Sequence, residues 1–182
     1  MHELKYLENF LSVLKNENYE VRLLKNDKFF NAPYLAVTLG KESEVDSKVL
    51  EIYVREQEAG QSLTPDRPHK DTILQCIFEL EYPFSVKRQY TNDVSALLHF
   101  LNQQHRMSGY VLDEINNKVI YRYNAIVTNT GINAQVLLGI IGIILLFYDI
   151  HRTTIEEVAE GKVSFNTIIS RLLETYEKIS KF

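Results

Sequence analysis

A chain of 182 residues with 45% hydrophobic and 24% charged side chains has the make-up of one folded domain, or one domain with an appendage, and not of a disordered segment. Its formal net charge of −4, with basic clusters no longer than pairs such as Lys87-Arg88, argues against a nucleic-acid partner. The single cysteine cannot close an internal disulfide, and the opening MHELKYLENF lacks the basic-then-apolar order of a secretory leader, so a cytoplasmic protein is the expectation.

Leu4, Leu7, Phe10, Leu11 and Leu14 recur at helical spacing, with Glu3, Lys5, Glu8 and Lys15 on the other side. The pattern predicts an amphipathic helix over residues 3 to about 17. Four period-two segments follow. Tyr19, Val21 and Leu23 alternate with Glu20 and Arg22. Leu35, Val37 and Leu39 alternate with Tyr34, Ala36 and Thr38. Leu50, Ile52 and Val54 alternate with Glu51, Tyr53 and Arg55. Leu74, Cys76, Phe78 and Leu80 alternate with Ile73, Gln75, Ile77 and Glu79. Alternation with one apolar side marks antiparallel strands covered on one face. KESEVDS and EAGQSLTPDRPHK read as the turns between them, the second holding Gly60, Pro65 and Pro68.

NDVSALLHFLNQQH predicts a second helix, with Asn92 as N-cap and Val94, Leu97, Leu98 and Leu101 on its buried stripe. GYVLDEINNKVIYRYNAIV reads as a hairpin turning at Asn116-Asn117. A helix containing VLLGIIGIILLFY comes next. Thr153 and Glu156 have capping-box spacing for a restarted helix that Gly161 ends. Ser164 then caps a last helix with Phe165, Ile168, Ile169, Leu172, Leu173, Tyr176 and Ile179 along one side. The order α-β-β-β-β-α-β-β-α-α, with strands and helices in separate runs, implies an α+β fold: an antiparallel sheet flanked by helices. Residues 1–150 are expected to form the main domain, with 151–182 a helical extension packed on it.

The thirteen residues Val136 to Tyr148 carry no charge, and Asp149, His151 and Arg152 close the run. A membrane span needs about 20 apolar residues, so the run is read as a helix covered by protein, with no membrane partner. Around the helix, Gln135, Gly139, Gly142, Leu146 and Asp149 form one stripe, and Val136, Ile140, Ile143, Ile144 and Phe147 lie opposite. A glycine in a helix interior costs about 1 kcal/mol relative to alanine. Two of them three residues apart point to close packing there. The expectation is that the bulky side lies on the sheet while the glycine stripe meets another helix, either the chain's own last helix or that of a second copy.

The residues that carry chemistry do not assemble by spacing. Cys76 falls on the apolar side of a strand and reads as a buried small hydrophobe rather than a nucleophile. His99 and His105 are six apart, which is not one face of a helix, and His69 and His151 fall near loops or helix ends, so no metal site is expected. Asp113 and Glu114 are adjacent, and neighbours on a strand point to opposite faces. No phosphate loop, serine elbow or HExxH occurs. No catalytic residue and no cofactor is therefore expected. What remains is surface: Tyr34, Tyr53, Arg55, Ile73 and Ile77 fall on the outward side of the first sheet, and Tyr and Arg are enriched in binding hot spots.

The segment SALLHFLNQQHRMSGYVLDEINNKVIYRYNAIV resembles the YbjN-type family, also called the bacterial sensory transduction regulators. The features that carry the resemblance are the leucine-rich helix at Leu97 to Leu101, the step Gly109-Tyr110, the acidic turn Asp113-Glu114 and the strand end Tyr121-Arg122-Tyr123. The likeness covers roughly residues 3 to 150, with additional chain around residues 25 to 34 and after His151. It implies the fold of type III secretion chaperones: a helix, three strands, a helix, two strands and a helix. It also implies a non-enzymatic, often dimeric adaptor, chaperone or regulator with no catalytic set to transfer. The glycine pair departs from that family's leucine-rich third helix.

The function expected from these readings is a protein-binding module, chaperone-like or regulatory, acting as a homodimer with an unidentified protein client. Its possible interface residues are Gly139, Gly142, Leu146, Tyr34, Tyr53, Arg55 and Ile77. An immunity-type inhibitor of a toxin belongs to the same interaction class. The competing class is a small hydrolase built from residues such as His99, His105 and Asp93.

Overall fold

The computed structural model describes residues 2–25, 32–40, 48–58, 72–103, 105, 108–127 and 132–179. The turns expected at 41–47 and 59–71, with His69, lie outside the described residues, as do the side chains of Tyr176 and Ile179. The fold is α+β. In chain order it comprises α1 (His2–Asn16), β1 (Glu20–Leu24), β2 (Tyr34–Leu39), β3 (Lys48–Glu58), β4 (Thr72–Glu81), a 3₁₀ turn (Arg88–Tyr90), α2 (Thr91–Asn102), β5 (Ser108–Asp113), β6 (Lys118–Val127), α3 (Ala134–Glu160) and α4 (Phe165–Ile179). The six strands form one antiparallel sheet in the order β1-β2-β3-β4-β6-β5. By packing, the chain divides into two compact units: Met1–Glu81 with Arg122–Leu145, and Tyr82–Tyr121 with Leu146–Phe182.

In the first unit the alternation in the sequence becomes a buried layer. Leu35, Val37, Leu50, Ile52, Cys76, Phe78 and Leu80 are fully buried. The register that aligns them pairs Val37 with Leu50, Leu50 with Leu80 and Ile52 with Phe78. A slip of one residue would turn every one of these side chains to the other face, so burial locks the register. Helix α1 packs on β1, β2 and β3 and buries Leu7, Phe10 and Leu14, one stripe at 3.6-residue periodicity. Leu4, expected on that stripe, is exposed. Asn18 takes a left-handed φ of 64° where the chain leaves α1 for β1.

In the second unit α2 buries Val94, Leu97, Leu98 and Leu101, as its spacing predicts. Its start differs from expectation. The helix begins at Thr91, and the capping position is Tyr90, whose side chain makes no capping hydrogen bond. Asn92 is already inside the first turn, because the preceding 3₁₀ turn runs directly into the helix and Thr91 donates its hydroxyl back to the Arg88 carbonyl at 2.9 Å. The β5–β6 hairpin turns where Asn116-Asn117 predicts. Asp113 Oδ1 accepts the Ile115 and Asn116 backbone N–H groups, and Asn117 takes a φ of 56°. The Asn116 side-chain amide donates to Asp113 Oδ2 at 2.7 Å, and this bond, with the two backbone ones, holds the Asp113 carboxyl below the usual carboxylate range.

Helix α3 is a single unbroken helix, and the restart expected at Thr153 does not occur. A capping box needs its first residue outside helical conformation, whereas Asp149 to Glu160 contains neither glycine nor proline to break the run. The boundary expected after Ile150 therefore falls inside α3. Both ends are well closed. Asn133 Oδ1 accepts the Val136 N–H at 2.8 Å, a side-chain N-cap that the sequence reading did not assign. At the other end Gly161, with φ +78°, terminates the helix as expected. Its N–H donates to the Val158 carbonyl and that of Lys162 donates to the Glu157 carbonyl, the paired bonds of a Schellman motif. The Lys87 backbone N–H donates to the Ala159 carbonyl and the Lys87 ammonium to that of Glu160, so all four terminal carbonyls are satisfied. Ser164 caps α4 as its position predicts, accepting the Thr167 N–H at 3.2 Å.

Candidate interaction surface

Helix α3 is where sequence and structure differ most usefully. Its buried stripe is Leu137, Ile140, Ile141, Ile144 and Tyr148, at steps of three and four residues. Val136 and Ile143, expected on the sheet side, are 50% and 42% exposed. Leu146 and Ile150, further along, are 55% and 57% exposed, and Gly139, Gly142 and Asp149 are exposed with them. The buried face is thus rotated by about one position from the expected one. An apolar side chain at nearly every position gives no contrast from which the sequence could choose a face. Among the described residues, a Cβ added at Gly139 or Gly142 would meet nothing within 4 Å. By length and composition α3 is also long enough and apolar enough to cross a membrane; the helix runs 27 residues, beyond the thirteen of the apolar run.

The sheet-face residues behave differently from α3. Tyr53 is 5% exposed and is not available as a contact on that face. Its cross-strand neighbours are Tyr34 and Ile77. The Tyr34 ring stacks on it with centroids 5.2 Å apart, and the Tyr53 hydroxyl donates to Glu51 Oε2 at 2.5 Å. Tyr34, Arg55, Ile73 and Ile77 are half-buried. On the neighbouring pair, Arg122 Nε donates to Glu79 Oε1 at 2.5 Å. On α4, Leu172 and Leu173 are exposed while Phe165, Ile168 and Ile169 are half-buried, Phe165 standing edge-on to Phe100 of α2.

The second unit holds a cluster that no spacing in the sequence announced. His105, Tyr110, Tyr121, Phe147 and His151 surround one another. The His105 ring stands edge-on to Phe147 at 4.3 Å between centroids and lies 6.2 Å from that of His151. The Tyr110 hydroxyl is 2.6 Å from His151 Nδ1 and 3.0 Å from the Phe147 carbonyl oxygen. It has one proton. If His151 is protonated at Nε2, Nδ1 accepts that proton; if at Nδ1, the ring donates to the hydroxyl, which donates onward to Phe147. Tyr82, fully buried, stacks on Tyr148 at 4.1 Å and donates its hydroxyl to the Tyr148 carbonyl at 3.0 Å. Tyr121 donates to Ser108 Oγ at 2.8 Å. Backbone geometry fixes Tyr110 as well: the Asn102 side-chain amide donates to its carbonyl and accepts its N–H. The same amide oxygen would stand 2.9 Å from a Cβ at residue 109, which accounts for Gly109.

Burial pushes both imidazoles below their ordinary value, His151 further affected by the neighbouring His105 and partly restored by the Phe147 carbonyl. Burial also raises the hydroxyls of Tyr82 and Tyr110 and pushes the Cys76 thiol up to about 12. Cys76 is fully buried, as its strand position predicts. No protein-family model matches this chain, and no curated protein does either. Among the described residues no group of three His, Cys, Asp or Glu side chains could hold a metal ion. Of the histidines and acid considered for a hydrolase, His105 joins the aromatic cluster, while His99 is exposed and Asp93 lies in the first turn of α2. The cluster can hold a proton between Tyr110, His151 and Phe147, and it locks β5, β6 and α3 to one another.

Proposed function

We propose that this chain is a non-enzymatic protein-binding module, a chaperone-like or regulatory adaptor of the cytoplasm that acts as a homodimer. The observation that carries this reading is the exposed face of α3. Val136, Ile143, Leu146 and Ile150, all more than two-fifths exposed, lie along one helix beside two glycines with open space above them. Exposed apolar patches of this kind mark contact surfaces. The glycines are in keeping with this, since each costs about 1 kcal/mol in a helix interior and, among the described residues, no atom stands within 4 Å of a Cβ built there. A protein partner is favoured over lipid because the opposite face of the same helix is held by protein, with Leu137 and Ile144 fully buried and the Tyr148 carbonyl accepting the Tyr82 hydroxyl. A helix crossing a bilayer alone would have no reason to divide its apolar residues in this way. The resemblance of roughly residues 3–150 to the YbjN-type family is in keeping with an adaptor.

A photo-crosslinking residue placed at Leu146 tests the reading against one at Ile115, which is 89% exposed on the hairpin turn. Protein adducts from position 146 and few from 115 are expected. Adducts to lipid alone, or equal yields from both positions, would overturn the proposal.

A further inference from the structure

We infer that His105, Tyr110 and His151 form an acid-operated clasp, which stays closed with one imidazolium and, on taking a second proton, releases the stretch of α3 after Leu145 from the β5–β6 hairpin. Every residue involved belongs to the second compact unit. The clasp is independent of what meets the exposed face of α3.

Either ring can carry a proton alone. With His151 charged, its Nδ1–H donates to the Tyr110 hydroxyl 2.6 Å away, and the hydroxyl turns its own proton to the Phe147 carbonyl at 3.0 Å. Only hydrogens change place. The ring of His105 has no such relay among the described residues. It stands edge-on to Phe147, Tyr110 and Tyr121, with centroids 4.3, 5.7 and 6.0 Å away. It is half-buried, so water still reaches a charge there.

Two charges together are met by nothing that offsets them. The two imidazole centroids are 6.2 Å apart. The titratable groups facing them are Tyr110 from β5 and Tyr121 from β6, with Tyr82 beside Tyr110 at 6.5 Å and stacked in turn on Tyr148. All four phenols are neutral in acid. From α2 comes the uncharged amide of Asn102, which holds the Tyr110 backbone. Asp149 and Arg152, the charged neighbours of His151 along α3, leave the helix about 200° and about 100° around from it. Among the described residues no carboxylate acts on either imidazole. Burial holds both below the ordinary 6.5, and His105 depresses His151 further. At this separation, partly screened by water, repulsion parts the two protonations by about one pH unit.

The contacts put at risk are the ones that fasten α3: Tyr110 to His151 and to the Phe147 carbonyl, and His105 to the Phe147 ring. Once open, both imidazoles titrate near their ordinary value. Opening therefore takes up protons that the closed form refuses, and the closed form loses its advantage as pH falls through that value.

Hydrogen exchange of the full chain, with each rate corrected for the intrinsic effect of pH, tests the clasp. Between about pH 7 and about pH 5 the amides of residues 147–160 should lose protection at least tenfold, while those of β2 and β3 keep theirs. Histidine ring resonances followed over the same range report the coupling. In His105→Phe, and in His105→Gln as a second neutral replacement, the His151 titration should rise by about one-half to one pH unit, and residues 147–160 should stay protected at the acid end. A His151 titration that moves in neither variant overturns the coupling of the two rings. Unchanged protection of residues 147–160 in the native chain overturns the clasp. So does acid loss that persists in both variants, or that β2 and β3 share in step.

Discussion

Gly161 closes α3, and replacing it with alanine separates two costs that the structure sets side by side. The first is conformational. Residue 161 has φ +78°, a left-handed conformation that costs an L residue about 1–2 kcal/mol, offset in part by the lower entropy of the unfolded alanine chain. The second is steric. A Cβ at this position would overlap Cζ, Cε2 and the hydroxyl oxygen of Tyr90, so the ring has to swing away. Tyr90 is half-buried, and giving up the contact costs about 1–2 kcal/mol of apolar burial. Gly161→Ala should therefore destabilise the chain by about 2–3 kcal/mol. In a Tyr90→Ala background only the conformational part remains, about 1 kcal/mol. Urea unfolding followed by far-UV circular dichroism measures both, since the chain has no tryptophan to report by fluorescence. The coupling between the two substitutions should be about 1–2 kcal/mol. Equal losses in the two backgrounds would refute the steric argument and leave the cap as a purely backbone requirement.

Three further outcomes follow from the aromatic cluster and the core. Tyr110→Phe removes the partner of His151 Nδ1 and should cost about 1–3 kcal/mol, whereas Tyr82→Phe should cost only about 0.5–1.5 kcal/mol, because the Tyr148 carbonyl lies inside a helix and keeps its own ladder bond. The reverse order in urea midpoints would contradict the assignment. His105 and His151 both have folded values held below the ordinary 6.5 by burial, so in this window the unfolded chain binds more protons than the folded one. Stability should be fully present above about pH 7 and decline as pH falls through the ordinary histidine value. His105→Phe, which keeps an aromatic ring edge-on to Phe147, should flatten that decline, and an unchanged slope would count against the account. The thiol of Cys76, raised to about 12 and fully buried, should react with a disulfide reagent only as fast as the chain opens, so its rate should rise with urea.

The legibility of this chain depended on contrast. Strands β2 and β4 could be read because Leu35, Val37, Leu74, Cys76 and Phe78 alternate with residues that are more polar or less buried, and one face of a sheet was enough to explain them. Helix α2 was legible for the same reason. Helix α3 lacked contrast: with apolar side chains all round, neither its buried face nor its unbroken course past Thr153 could be taken from pattern alone. Tyr53 appeared to face outward because β3 alternates, but a large ring with Tyr34 and Ile77 as cross-strand neighbours is buried by the strands beside it. The His105–Tyr110–His151 cluster had no local signature at all. Its members lie on three stretches of chain, and only the packing of β5 and β6 with α3 brings them together. Gly109 gave a partial signal, a glycine inside a strand, which marks close approach of another group.

The strand order leaves β1 and β5 at the two borders of the sheet. β1 is only five residues long and carries Glu20 and Arg22, which pair with each other on its exposed side. A short, charged border is a poor template for adding another chain strand by strand. At the other border α2 lies against β5. A sheet bordered in this way offers little for a neighbouring sheet to pair with, which discourages lateral growth into filaments.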